Sequence, residues 1–449
     1  MVPTLCIAFL VLSTLLAVVK PVTADTYDMV KEYAGPTFFD EWTFYDHLSR
    51  AVSLHISNVT LSTSSLAISE VDNLTNGNVI GIMAYNARYL SASDAFKSKL
   101  AFVDSTTNHA IIKVDNTSNV EFNKNRNSVR MQTDVGYSVG SVWTIDMLHV
   151  PFGCSVWPAW WSTAETREGG EIDTFEGVNL ASHSIMGLHT TPGCTQVGQN
   201  QSSSIVNSTD CSFLANNNQG CITTVPSTQS YGAAFAQAGG GFFVTEFAES
   251  GISIWFFPRA DVPGVLSSNS STIDTSSLGQ PVGNWPSTQC NSSQFFQPQN
   301  LIFTVTLCGG ELGVIFGPIR SIFAAALSMS VNSAYLKSFP SSNKLLIIVH
   351  SLEPFSFPSI DLAGRVDVFS QTCTGVCYND FVLGNGSNYA DAYFEVSSVR
   401  VFSKQGTNTV VGVPKSSGAG LTVEPFGRGV LLRTAISVGL AGVVSWTML

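Results

Sequence analysis

Residues 169–179 read GGEIDTFEGVN, and the spacing of three carboxylates in this stretch decides how the chain folds there. Glu171, Asp173 and Glu176 are interleaved with Ile172, Thr174 and Phe175. Side chains alternate along a strand, so Glu171 and Asp173 share one face and Glu176 falls on the other. One extra residue, a β-bulge around Thr174-Phe175, returns all three acids to the same side. The spacing therefore predicts a bulged strand that presents a line of acids to one concave face.

Working outward, the neighbouring stretches also read as strands. Residues 108–114, 128–133, 140–150, 240–247, 252–257, 301–306 and 392–402 are rich in Val, Ile, Phe and Thr and partly alternating. Asn, Gly, Ser and Pro separate them. Helical periodicity is scarce between the two ends of the chain. Many short strands in 449 residues predict an all-β sandwich of two antiparallel sheets. Charged residues make up only 12%, and the net charge of -11 repels phosphate backbones, so nucleic acid is excluded as a partner. Two stretches, 48–71 and 310–360, lack the strand-turn rhythm around them, and unstructured insertions of that length are unusual in a compact domain.

Paired acids on one face suit retaining glycoside hydrolysis, which needs a nucleophile and an acid/base with carboxyl groups roughly 5–5.5 Å apart. Glu171 is the expected nucleophile and Glu176 the acid/base. A neighbouring negative charge keeps Glu176 protonated until Glu171 is neutralised by the covalent intermediate. Asp173 between them orients Glu171. A bare run of acids also serves as a solvated face or a calcium site. The sequence just upstream favours catalysis: 154–161 reads CSVWPAWW, and its Trp157, Trp160 and Trp161 suit sugar rings as well as a core.

The ends carry addresses. Residues 1–24 form an apolar run closing on Val22-Thr23-Ala24, the layout of a secretory signal peptide. Its removal takes Cys6 and leaves eight of the nine cysteines, an even number suited to a disulfide framework whose pairing the sequence leaves open. No cysteine–histidine spacing completes a metal site. Asn-x-Ser/Thr acceptors at Asn58, Asn73, Asn116, Asn200, Asn207, Asn269, Asn291 and Asn385 agree with export. A linker at 406–420 ends in small residues. The hydrophobic tail at 421–449 then completes the layout of a GPI-attachment signal, with a membrane span as the alternative.

Together, the runs FGCSVWPAWW, GGEIDTFEGVN and MGLHTTPGC resemble glycoside hydrolase family 16, most of all its fungal endo-1,3(4)-β-glucanase, laminarinase-like branch. FFDEWTFYDH, DNLTNGNV, RNSVR, IWFFPR and AYFEVSSVRVF match in the same way, so the resemblance spans nearly all of 25–405, the expected catalytic domain. It implies a β-jelly-roll with a concave cleft, an endo-acting retaining hydrolase of β-glucan, no cofactor, and a monomer. Carried over position by position, Glu171, Asp173 and Glu176 are catalytic, while Trp157, Trp161, Arg126 and His189 line the cleft. Trp285 is a further, weaker candidate for the cleft.

The chain departs from the family in two ways. Thr166-Arg167 stands where a Trp-Pro pair is usual. The usual LCG-D-x-AG run is split, with Leu307-Cys308-Gly309 and Asp361-Leu362-Ala363-Gly364 separated by 310–360. Codons for 310–312 can hold a GTGAGT splice donor and those for 360–361 an AG acceptor. Excision in frame restores the run, so 310–360 reads as a translated intron, the alternative being a real surface loop. Three functions remain open at this point: an endo-β-1,3(4)-glucanase, a wall-remodelling transglycosylase, and a glucan-binding protein without turnover.

Overall fold

The Glu171–Glu176 strand lies within an eight-stranded antiparallel sheet. Its order across the sheet is Ser204–Val206, Cys221–Thr224, Ile185–His189, Glu171–Glu176, Val156–Thr163, Asn300–Leu307, Arg130–Thr133 and Trp42–Phe44. A second, nine-stranded sheet is built around Tyr393–Lys404, Ser141–His149 and Gly241–Ala248. The computed structural model describes residues 26–46, 86–308 and 368–412 apart from 123 and 267–269, together with the backbone of four strands. These are Ser53–Ser57 paired with Val79–Met83, and Tyr335–Ser338 paired with Leu345–Ile348. The expected signal peptide and hydrophobic tail lie outside the described residues, as does most of 48–71 and 310–360.

The two sheets face each other across one large apolar core. Trp160, Ile172, Phe175, Leu188 and Phe303 enter it from the first sheet, and Trp143, Ile145, Phe243, Phe247 and Phe394 from the second. The alternation of apolar residues sets these orientations: Trp160 points inward, while Trp157 and Trp161 lie on the opposite face of the same strand. Each large buried side chain contributes about 1.5–3 kcal/mol of transfer free energy, so the registers that bury them are strongly specified. A smaller cluster, with Val142, Val244, Trp255, Phe402, Leu266 and Leu278, covers the outer side of the second sheet. The two-sheet β-jelly-roll architecture expected from the strand pattern is the one observed.

Four disulfides close the fold: Cys154–Cys373, Cys194–Cys290, Cys211–Cys221 and Cys308–Cys377. Cys308–Cys377 and Cys154–Cys373 tie the segment around 373–377 to the main sheets. At the other end, the expected domain limit at 405 is too early. Val410–Val411 pairs with Gly136–Tyr137, and Thr409 Oγ1 bonds both Ser141 Oγ and Ser403 Oγ. Residues 406–412, read from composition as linker, therefore belong to the sandwich.

Candidate active site

The acid strand carries the bulge that its spacing predicts. Trp160 pairs with Phe175 and Trp161 with Asp173, so one residue of the acid strand is extra. On the other side Asp173 faces Gly187 and Glu176 faces Ile185, again one residue in excess. Both bulge residues turn inward. Thr174 Oγ1 meets Thr245 Oγ1 of the opposite sheet at 2.6 Å, and the Phe175 ring packs 5.3 Å from Phe243 and 6.1 Å from Tyr231. Glu171, Asp173 and Glu176 thereby share the outer face.

Glycines fix both ends of this strand. Gly170 has φ +78°, and a Cβ there would meet the Phe296 ring at 2.5 Å and the Phe295 carbonyl at 2.7 Å. At Gly177 a Cβ would lie 2.0 Å from the Tyr231 ring, whose hydroxyl donates to the Asn179 carbonyl at 3.1 Å. The motif's glycines are thus demanded by close packing beside the acids.

Each acid has its own surroundings. Trp157 Nε1 donates to Glu176 Oε1 at 3.0 Å. Burial, the Asp173 charge and, more weakly, Glu171 push the Glu176 carboxyl up to about 8, against the Trp157 hydrogen bond. Glu171 keeps 32% of its side chain exposed and faces His189, its cross-strand partner. Burial and Asp173 raise its carboxyl to about 7, while the charges of His189, Arg130 and Arg167 pull it down. Asp173 is only 5% exposed, and its Oδ2 lies 3.4 Å from His189 Nε2, which is 3.9 Å from Glu171 Oε1. Burial works against charge on His189, but the Asp173 hydrogen bond and the charges of Asp173, Glu171 and Glu176 outweigh it and raise the ring to about 9.

Glu171, Asp173 and His189 bring one potential metal-ligand atom each within 4.8 Å of one another. A metal needs the lone pair of a neutral imidazole. Here the carboxylates favour a proton on that ring, which a cation would have to displace.

The other residues singled out in the sequence divide. Trp161 lies on the outer face beside Asp173, its Nε1 donating to Thr304 Oγ1 at 3.0 Å. His189 joins the acids rather than the core. Arg126 does not line the cleft as expected: it is fully buried, and its guanidinium donates to the carbonyls of Asp115, Ser118, Val382 and Gly384 while stacking on Tyr389. With its donors committed to backbone, it joins the 115–118 turn to the segment around 382–384. Trp285 is likewise buried in the core.

Arg130, the other arginine of RNSVR, is the one at the site. Its guanidinium lies 4.9 Å from the ring centres of both Trp161 and Tyr45. Alternation around the inward Met131 was the signal that could have placed it on the acids' face. Asn218, which meets His189, and Arg167, which meets Asn218, come from two separate 3-10 turns and carried no such signal.

Comparison with known proteins points to one family. The family described as "XgeA-like, catalytic GH16 domain" matches residues 68–332. A probable glycosidase of Schizosaccharomyces pombe is 29% identical over 383 residues, covering 84% of this chain and 70% of its own length. A probable endo-1,3(4)-β-glucanase of Neosartorya fischeri is 28% identical over 382 residues, 84% of this chain. The chain spans only 46% of the length of that relative. Among solved structures, the GH16 laminarinase 16A of Phanerochaete chrysosporium, with β-glucans in donor and acceptor sites, is similar at a TM-score of 0.61. It is 25% identical, with 84% of this chain and 99% of that one covered. An elongating GH family 16 β-1,3-glucosyltransferase is similar at 0.59 and 25% identity, covering 84% of this chain and 100% of that one.

Proposed function

The chain belongs to glycoside hydrolase family 16, with an XgeA-like catalytic domain, and on that premise we propose that it cleaves β-1,3-glucosidic bonds inside β-glucans with retention of configuration. The observation that carries this reading is the bulge-aligned triad, with one carboxyl clamped by Trp157 and the other facing His189. The Glu171 carboxylate attacks the anomeric carbon while Glu176 gives its proton to the departing glycosidic oxygen. A glycosyl ester forms on Glu171 and the leaving sugar departs. Glu176, now ionised, takes a proton from water as that water attacks the anomeric carbon and releases Glu171. Asp173 holds His189 and orients Glu171, and Trp157 and Trp161 give the sugar chain its aromatic faces.

A second reading keeps the same ester and lets a sugar hydroxyl accept the glycosyl group; the likeness to the elongating glucosyltransferase favours it. Reducing-sugar release from laminarin and from barley mixed-linkage glucan, with product lengths followed in time, separates the two. Products shorter than the polymer are expected from both. Products longer than a starting oligosaccharide assign the transferase, and no product from folded protein contradicts both readings.

We further propose that the protein acts outside the cell. Four disulfides suit an oxidising compartment, and the acceptor asparagines Asn200, Asn207, Asn291 and Asn385 are exposed. Anchoring through the 421–449 tail predicts release from the cell surface by a GPI-specific phospholipase. The reading of 310–360 as a translated intron is consistent with Cys308–Cys377, which joins its two flanks. Transcripts that retain those codons in the mature message would contradict it.

A further inference from the structure

The hydrogen-bond partners of His189 determine its protonation. Nε2 faces Asp173 Oδ2 at 3.4 Å and Glu171 Oε1 at 3.9 Å, and ionised carboxylate oxygens only accept. On the other side of the ring, Nδ1 lies 3.3 Å from Asn218 Oδ1. The orientation of that amide is set by Arg167, whose Nη2 donates to the same oxygen at 2.8 Å. A guanidinium has no acceptor, so the oxygen and not the amide nitrogen must face it. Arg167 is itself held by the Phe213 ring, 4.3 Å from its guanidinium carbon. Both ring nitrogens of His189 therefore confront acceptors, and both must carry hydrogen.

We propose that Arg167 and Asn218 are positioning residues that hold His189 as a doubly protonated imidazolium against Glu171 and Asp173, keeping the nucleophile ionised. The proposal rests on the retaining mechanism above and deepens it. Charged groups bearing on the ring are Glu171, Asp173 and Glu176 of the acid strand, while Arg130 and Arg167 bear with it on Glu171. Three carboxylates favour the cation, and the two arginines, spread around the acids, share its work on Glu171. The raised His189 titration agrees with this balance. Arg167 stands where the family resemblance leads one to expect the proline of the Trp-Pro pair, and Thr166 where it expects the tryptophan, so this chain has an arginine next to the position of the missing platform.

Asn218 and Arg167 are exposed on short 3-10 turns, so substituting them leaves the core intact. The first test needs no turnover: ¹⁵N-resolved spectra of the His189 ring at pH 7. Two protonated nitrogens are expected in the wild type, and in Asn218→Ala a ring that gives up its second proton at lower pH than in the wild type. The second is the pH profile of kcat/KM on a laminari-oligosaccharide. In Asn218→Ala the limb that follows loss of the ring proton moves down by about one pH unit, a tenfold loss above it, with little change in KM. Asn218→Asp, which keeps the acceptor, restores the limb, and Arg167→Ala moves it part of the way. A neutral His189 in the wild type overturns the proposal, as does a limb of ring-proton loss unmoved in Asn218→Ala. Absence of any glucan hydrolysis with an imidazolium present overturns the retaining reading instead.

Discussion

Glu171 and Glu176 stand at opposite ends of one six-residue strand and share one face, yet their surroundings differ. Glu176 is met by a neutral donor, the Trp157 indole, which tempers but does not cancel the effect of burial. Glu171 is a third exposed and faces a histidine ring, with Arg130 and Arg167 further out. Burial and Asp173 raise both carboxyls, Glu176 to about 8 against one neutral donor and Glu171 to about 7 against the charges of His189, Arg130 and Arg167. The cations beside Glu171 and the neutral donor on Glu176 suit a nucleophile and an acid/base, because a retaining mechanism needs the two carboxyls in opposite protonation states when substrate arrives.

The largest effect expected on this comparison is at the nucleophile. Glu171→Gln removes the attacking oxygen and should lower kcat by on the order of 10⁴-fold or more, the scale seen when a covalent nucleophile is lost. Glu176→Gln should cost about 10²–10⁴-fold and abolish the alkaline limb of the pH profile, because that limb reports loss of its proton. If Glu171→Gln were the variant that lost the alkaline limb, the two assignments would be reversed. Trp157→Phe keeps an aromatic face but removes one hydrogen bond to a carboxylate, so about tenfold in kcat is expected. Since that bond lowers the Glu176 titration, its loss should move the alkaline limb upward.

The smallest effect is on stability. Glu176 titrates higher in the fold, at about 8, than in the unfolded chain, at about 4.3. Below the unfolded value both states hold the proton, and wild type and Glu176→Gln should melt alike. As pH rises past it the unfolded state ionises first, and the wild type loses stability until the folded group ionises too. Glu176→Gln should therefore melt a few degrees higher than wild type at pH 8, and calorimetry across that window checks the sign.

How much of this was legible in the sequence depends on the distance over which each feature is determined. The bulge was legible because three acids and two inward residues within six positions overdetermine it. Strands of the opposite sheet were legible to within one or two residues, as 140–150 against Ser141–His149 and 240–247 against Gly241–Ala248 illustrate, whereas Val156–Thr163 and Ile185–His189, which flank the acid strand, were not read as strands. Arg126 was misread because its partners, the carbonyls at 382 and 384, come from a segment more than 250 positions away. A polar residue in a strand pattern gives no sign that such acceptors will arrive. His189 was placed at the cleft by the family resemblance alone, and it is the register that sets it opposite Glu171. The disulfide pairing and the approach of Arg167 to Asn218, 51 positions apart, are likewise products of tertiary folding with no local trace.

The central claim is the double displacement on Glu171 and Glu176, and its stereochemistry tests it most directly. Proton NMR of the newly released reducing end, recorded before mutarotation, distinguishes the two anomers. The account predicts that the β anomer appears first and the α anomer only as mutarotation proceeds. An α anomer appearing first would mean a single inverting displacement, and the roles given to both carboxylates would be contradicted.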